Sequence, residues 1–170
     1  MSVYQPSDDS KLLAKAVLEK DLSGKRCLDM GTGSGIIARK MVHSGAEEVV
    51  AVDKNPEAVK EAKENLEDLE KVEVRESNLF SSVEGKFDLI AFNPPYLPDE
   101  EGVEDDDDLF GGESGEELTE TFLERSGDYL SERGEVHFVV SSSSGFDVEN
   151  YEIVDTEKLW FEDLYVLKSE

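Results

Sequence analysis

Two stretches of the chain carry residues whose types and spacing could do chemistry. The first is Asp29-Met30-Gly31-Thr32-Gly33-Ser34-Gly35. Its alternating glycines permit a tight turn and let a ligand approach bare backbone. Asp53 ends the next apolar run, where an acid can accept hydrogen bonds from both hydroxyls of a ribose. The second is Asn93-Pro94-Pro95-Tyr96. An amide or aromatic amino nitrogen is a poor nucleophile, because its lone pair is delocalised. The Asn93 side-chain oxygen and the Pro94 carbonyl can accept both N–H bonds of such an NH₂ group and fix it for attack. Pro94 and Pro95 stiffen the backbone that holds those acceptors, and the Tyr96 ring can stack on the planar group bearing the nitrogen. Such a site works by positioning and by placed dipoles, without a covalent intermediate.

These stretches need strands and helices to hold them. Lys25–Asp29 reads as a short strand and Ser34–His43 as a helix, so the glycine turn joins the two. Glu48–Asp53 is a continuous apolar run typical of a strand buried on both faces. Asn55-Pro56-Glu57 is a helix start: Asn caps, Pro suits the first turn, and Glu favours the positive end of the dipole. Val72 and Val74 alternate within Lys71–Glu76 as in a half-exposed strand. Phe87–Phe92 is a further buried strand that delivers Asn93. Lys11–Lys20 and Glu116–Leu130 carry helical stripes, Gly134–Val140 reads as a strand, and Glu149–Asp155 with Glu162–Lys168 as a closing antiparallel pair. Trp160 and Phe161 are expected to pack beneath that hairpin, and His43 and His137 to be structural. The β–α–β–α order requires a mostly parallel sheet covered by helices on both faces, with ligands at the carboxyl ends of the strands.

The chain has 170 residues, which fits a single domain over 1–170. A chain of this size buries about two-thirds of its unfolded surface without staples. Asp plus Glu number 42 against 17 Lys plus Arg, a net charge of −25. The acids are spread along the whole chain, which suggests a halophilic protein living in concentrated salt. At ~1 M salt the Debye length is only ~3 Å, so self-repulsion is screened. A surface of this sign makes direct nucleic-acid coating a poor role in dilute salt. Cys27 is alone, so neither an intrachain disulfide nor a Cys-rich metal site is expected; it reads as a buried strand residue. No signal peptide is seen and no apolar run approaches the ~18 residues of a membrane span. A cytoplasmic location and no membrane partner are expected.

Ile36 stands where a dinucleotide-binding G-x-G-x-x-G turn would have its last glycine, and no Gly-Lys-Ser/Thr follows. Asp29 lies at the base of the turn. An acid there disfavours a pyrophosphate and suits the amino group of a zwitterionic nucleoside such as S-adenosyl-L-methionine. Asp29-x-Gly31-x-Gly33-x-Gly35 with Asp53 resembles the class I methyltransferase signature, whose fold is Rossmann-like. Ser77-Asn78-Leu79 occupies the place of the residues that hold the adenine.

With Tyr4-x-Pro6-x-x-Asp9-Ser10, Asp53-x-Asn55-Pro56, Phe92–Tyr96 and Gly111-Gly112-x-x-Gly115 added, the chain resembles the HemK family of protein glutamine N5-methyltransferases. It is most similar to the short archaeal–eukaryotic branch that modifies a class I translation release factor. The resemblance implies a seven-stranded sheet, mostly parallel, with an antiparallel strand from a C-terminal hairpin. It implies a substrate glutamine in a Gly-Gly-Gln loop, with Asn93, Pro94, Pro95 and Tyr96 as the catalytic stretch. It implies cofactor contacts from Ser10, Asp29, Gly31, Gly33, Gly35, Asp53, Asn78, Leu79 and Asn93. It also implies a small zinc-binding activator protein that forms a heterodimer by covering an exposed strand edge, for which Val72–Val74 is the candidate.

The chain departs from the family in three places. No N-terminal helical domain like that of the longer bacterial relatives is expected from these 170 residues. Leu109-Phe110 stands where Trp normally precedes the paired glycines. Ser141–Ser144 and a short Gly145–Asn150 link replace the helix expected before the hairpin, so one face should be less covered there. Glu104–Asp108 reads as a solvated acidic loop. Two other functions compete. An amino-methyltransferase acting on adenine or guanine would share Asn93–Tyr96, but the scattered Lys and Arg give it no basic groove. A non-catalytic scaffold subunit could have lost its glycines or the tetrad, and this chain keeps both.

Overall fold

The computed structural model describes residues 8–94 and 116–170. The expectations for Tyr4, Pro6, Pro95, Tyr96, Glu104–Asp108, Leu109-Phe110 and Gly111–Gly115 concern residues outside that set.

A seven-stranded sheet forms the centre of the described residues. Its strands are β1 (Arg26–Met30), β2 (Glu48–Asp53), β3 (Val72–Glu76), β4 (Phe87–Phe92), β5 (Leu130–Ser141), β6 (Glu152–Lys158) and β7 (Asp163–Ser169), in the order β3-β2-β1-β4-β5-β7-β6. The first five run parallel. The last two close the sheet as an antiparallel hairpin. This is the expected arrangement, and the order reverses between β1 and β4. That leaves a crevice beyond their carboxyl ends.

Strand periodicity divides the core. Cys27, Val49, Ala51, Leu89, Ala91 and Val139 point to one face, where α1 (Asp8–Leu18), α2 (Ile36–His43) and α3 (Pro56–Asn65) cover them. Leu28, Met30, Val50, Val52, Ile90 and Phe138 point to the other, which among the described residues has only α4 (Glu117–Ser126) and one following 3₁₀ turn. Asn55 caps α3 by accepting a hydrogen bond from Glu57 N at 2.9 Å, with Pro56 in the first turn.

Aromatic rings replace the missing helices on the second face. Phe80 stacks on Phe122 and Tyr129 at centroid distances of 5.7 and 4.4 Å, and Phe92 lies 4.4 Å from Phe122. The link after β5 contains no helix, as expected, yet Phe146 and Tyr151 set their rings edge-on to Phe138 and supply the cover. Phe122 is fully buried between the rings of Phe80 and Phe92. Phe122→Ala should lower the unfolding free energy by about 3–5 kcal/mol. A denaturant midpoint unchanged at constant slope would show that the cluster does not hold α4.

The C-terminal hairpin corrects two expectations. β6 begins at Glu152, not Glu149, because Tyr151 is drawn onto Phe138; it continues to Lys158 before turning. Trp160 and Phe161 do not pack beneath the hairpin. They occupy its turn, 94% and 61% exposed. Leu159 alone turns inward against the helix-covered face. Among the described residues, no helix is long and apolar enough to cross a membrane.

Candidate functional site

The strand register assembles the site. Met30 at the end of β1 pairs with Val52 on one side and Phe92 on the other. The next residues of these three strands therefore emerge side by side: Gly31, Asp53 and Asn93. Gly31 adopts φ 69° and Gly35 φ 93°, backbone conformations that side chains rarely tolerate. A Cβ on Gly31 would only touch the Phe92 ring at 3.4 Å, so its positive φ is what calls for glycine there, whereas one on Gly35 would also clash with the Leu66 side chain at 2.7 Å. Both glycines are thus required by the turn itself.

Two acids hold the turn. Asp29 is buried, and its Oδ2 accepts hydrogen bonds from Thr32 Oγ1 at 2.7 Å and Ala38 N at 3.0 Å. Gly35 offers no side-chain cap to α2, so the carboxylate of β1 serves that positive helix end instead. Burial pushes the Asp29 carboxyl up to about 7; the two hydrogen bonds pull it back, and the nearby charge of Asp53 raises it again. Asp53 accepts from Gly33 N through one oxygen and from Asn55 N through the other, both at 2.9 Å. Burial raises its carboxyl, against these backbone donors. Lys54 N also donates to this carboxylate, so of its about four acceptor sites roughly one stays open for a ligand.

The helix α1 closes the crevice. Ser10, in its first turn, is buried, and its Oγ accepts a hydrogen bond from Asn93 Nδ2 at 3.1 Å. The Asn93 Oδ1 is also buried and has no hydrogen-bond partner among the described residues. Leaving such an acceptor unpaired costs about 1–3 kcal/mol, a cost that an incoming donor removes.

Ser10, Asp29, Gly31, Gly33 and Asn93 line one cleft, together with Thr32, Ser34, Ile36 and Ile37. Asp53 reaches it through Gly33. Gly35 instead forms the cap of α2. Asn78 and Leu79 lie beyond the carboxyl end of β3 and do not line the cleft; Leu79 has φ 50°, an uncommon value for a branched residue. Pro94 follows Asn93 and is buried. Sequence reasoning missed Thr32 and Phe92. The hydroxyl between two glycines was the available signal for Thr32, and nothing short of the register signalled Phe92. Cys27 is buried in β1, with its thiol pushed up to about 12 by burial first, and the charge of Asp88 second. His137 is buried in β5, 3.3 Å from Glu135, held neutral by burial, which pulls it down to about 4. Neither lines the cleft.

Fold and cleft together define a methyltransferase of the Rossmann-like kind. Residues 5–155 match the family described as the methyltransferase small domain. A Methanocaldococcus jannaschii chain, provisionally named a protein N5-glutamine methyltransferase, is 42% identical over 149 residues, 84% of this chain and 74% of its own length. A release factor glutamine methyltransferase of Shewanella oneidensis is 41% identical over 97 residues. That match covers 54% of this chain and only 34% of the relative. Among solved structures, a chain of the E. cuniculi Mtq2–Trm112 complex matches with a TM-score of 0.77 at 25% identity. The match covers all of this chain and 99% of that one, and the complex is described as responsible for methylation of the eRF1 translation termination factor.

The chain belongs to the methyltransferase small domain family. Its relatives place it with the archaeal and eukaryotic branch of the HemK proteins. Enzymes of this class draw their methyl group from S-adenosylmethionine, and the cleft fits that cofactor: a bare glycine turn, the Asp53 carboxyl at the end of β2 tied to that turn through Gly33, and the buried Asp29 carboxyl in its lining.

Proposed function

We propose that this chain transfers a methyl group to the side-chain amide nitrogen of a glutamine, in the Gly-Gly-Gln motif of a class I translation release factor. The observation that carries this reading is the buried, unpartnered Asn93 Oδ1 beside the glycine turn. A primary amide presents two N–H donors. In this reading one is taken by Asn93 Oδ1 and the other by the Pro94 carbonyl, while Tyr96 stacks on the amide plane. When bound, S-adenosylmethionine supplies an electrophilic methyl carbon on a sulfonium. The chain's part is to aim the nitrogen at that carbon and to bind its N–H groups more strongly as positive charge builds on it. The extra proton then leaves to water, so no strong base is needed. Ser10 keeps Asn93 oriented by accepting from its Nδ2. Asp29, the Gly31 and Gly33 backbone, Asp53, Asn78 and Leu79 hold the cofactor in this reading, and Gly35 shapes the turn.

The reading includes a small zinc-binding activator protein on β3. The supports are that β3 ends the sheet, paired with β2 alone among the described strands, and that Val72 and Val74 are only half-buried there. An unpaired edge with apolar side chains is a template for another chain. Val74→Asp should abolish co-purification of the activator while the chain still binds cofactor. Unchanged co-purification would remove the β3 edge from the contact. The acidic surface is assigned to a concentrated-salt interior, so activity belongs in molar KCl.

The test is the mass of the Gly-Gly-Gln peptide of the endogenous release factor in cells with and without this gene. The methyl should vanish with the gene, and return with the wild-type chain but not with Asn93→Ala. Equal methylation in both cells would overturn the glutamine reading and direct the search to methylated amino bases.

A further inference from the structure

The correction at the hairpin turn leaves Trp160 and Phe161 without a role in the core. Trp160 is 94% exposed and Phe161 61%, their rings edge-to-face at 5.1 Å. This pair is not a loose tip. Leu159 N donates to Glu162 O at 2.8 Å, closing the turn. The serine run after β5 then latches it: Ser141 Oγ donates to Glu162 Oε2, Ser143 Oγ donates to the same oxygen at 3.1 Å, and Ser142 Oγ accepts from Asp163 N at 2.9 Å. The serines that replace a helix thus hold the turn that displays two exposed aromatic rings.

Their position decides what they can meet. Phe138 of β5 pairs with Phe92, and Ser141 of β5 pairs with Leu164, the second residue of β7. The turn therefore stands at the carboxyl end of the parallel strands, on the same rim as Asn93. Two strand spacings sideways and about five residues upward put the rings roughly 19 Å from Asn93. The β3 edge lies five strands away from β7, about 24 Å across the sheet, so a partner seated there is a poor fit to this turn. A second copy of the chain offers only the same acidic residues around its own turn, so at contact distance, inside the ~3 Å Debye length of molar salt, it presents no complementary rim. A macromolecule that inserts one side chain beside Asn93 must rest its body on the rim within this distance.

We infer that the Trp160–Phe161 turn is a docking knob for the body of the methyl-accepting protein, which would offer it an apolar pocket rimmed by Lys or Arg. The basic rim follows from Glu157, Glu162 and Asp163, which outnumber Lys158 beside the rings. This inference rests on the glutamine reading above. Rigid exposed aromatics anchor interfaces at low entropic cost, and Trp is prominent among the residues that dominate them.

The chain has one tryptophan, so 5-fluorotryptophan labelling gives one fluorine resonance from the turn. In molar KCl, adding intact release factor should shift or broaden that resonance. Trp160→Ala and Phe161→Ala should each raise KM for the intact factor about tenfold or more. They should leave kcat, cofactor Kd and the KM for a free Gly-Gly-Gln peptide unchanged, and Trp160→Tyr should restore most of the lost affinity. Normal transfer to the factor with unchanged KM in both alanine variants would overturn the knob and spare the glutamine reading. No transfer to the factor by the wild-type chain would overturn the glutamine reading and, with it, the partner assigned here.

Discussion

Asn93→Ala should lower turnover by about 10²- to 10³-fold while cofactor Kd stays within a few-fold. The magnitude is that of removing one group aimed at charge developing in a transition state. The split follows from geometry. Oδ1 of Asn93 is left without a partner among the described residues, so its service in this reading is to a donor that arrives with the substrate. Its Nδ2 binds Ser10, a contact within the chain whose loss costs little beyond local order. Asn93→Asp retains an acceptor at the same place and should keep more activity than alanine. Single-turnover kinetics with pre-bound cofactor separate chemistry from binding. A wild-type rate in Asn93→Ala would remove Asn93 from the reacting site; a matched loss of turnover and cofactor affinity would make it a cofactor ligand only.

Much of this site was readable because it rests on backbone requirements. Only glycine accepts the positive φ of Gly31 and Gly35 without strain, so their spacing announces a turn before any fold is known. Val49 to Val52 and Phe87 to Phe92 are buried on both faces, so their unbroken apolar runs mark central strands. Asn55-Pro56 fixes a helix start through local chemistry alone. What escaped depends on contacts distant in sequence. The ties of Asp29 to Thr32 and Ala38 arise only once α2 docks against β1. Phe92 gains its place under the glycine turn from the β1–β4 register. Trp160 and Phe161 read as core because apolar residues beside a strand normally are; hydropathy cannot distinguish a side chain tucked under a hairpin from one displayed at its turn. The uneven cover of the sheet was half legible. The missing helix after β5 showed in the serine run, but the rings that replace it did not.

Asp29 should make cofactor binding depend on pH, and Asp29→Asn should remove that dependence. The buried carboxyl sits at about 7, raised chiefly by burial, so near neutrality much of it is protonated before a ligand arrives. Only the carboxylate attracts the cationic amino group of the cofactor. Cofactor Kd should therefore tighten about tenfold between pH 6 and pH 7.5, the change in ionised fraction for a group titrating near 7. Above about pH 8 the gain should reverse, as the α-amino group itself loses its proton. The stability of the cofactor-free chain has the opposite sign. Between the ordinary carboxylate value of 3.8 and about 7, the folded state holds a proton at Asp29 that the unfolded state has released. The Asp29 contribution to stability therefore falls as pH rises through that window and is flat above it. Cofactor binding opposes that loss, so the rise in melting temperature on adding S-adenosylmethionine should be larger at pH 7.5 than at pH 6. The amide oxygen that Asp29→Asn introduces can still accept from Thr32 and Ala38, which preserves the turn. Cofactor affinity of that variant should fall about 10- to 100-fold, the loss of a hydrogen bond to a charged group. Calorimetry across pH reads both effects. A wild-type Kd that is constant from pH 6 to 7.5 would mean that the cofactor's amino group does not meet this carboxylate.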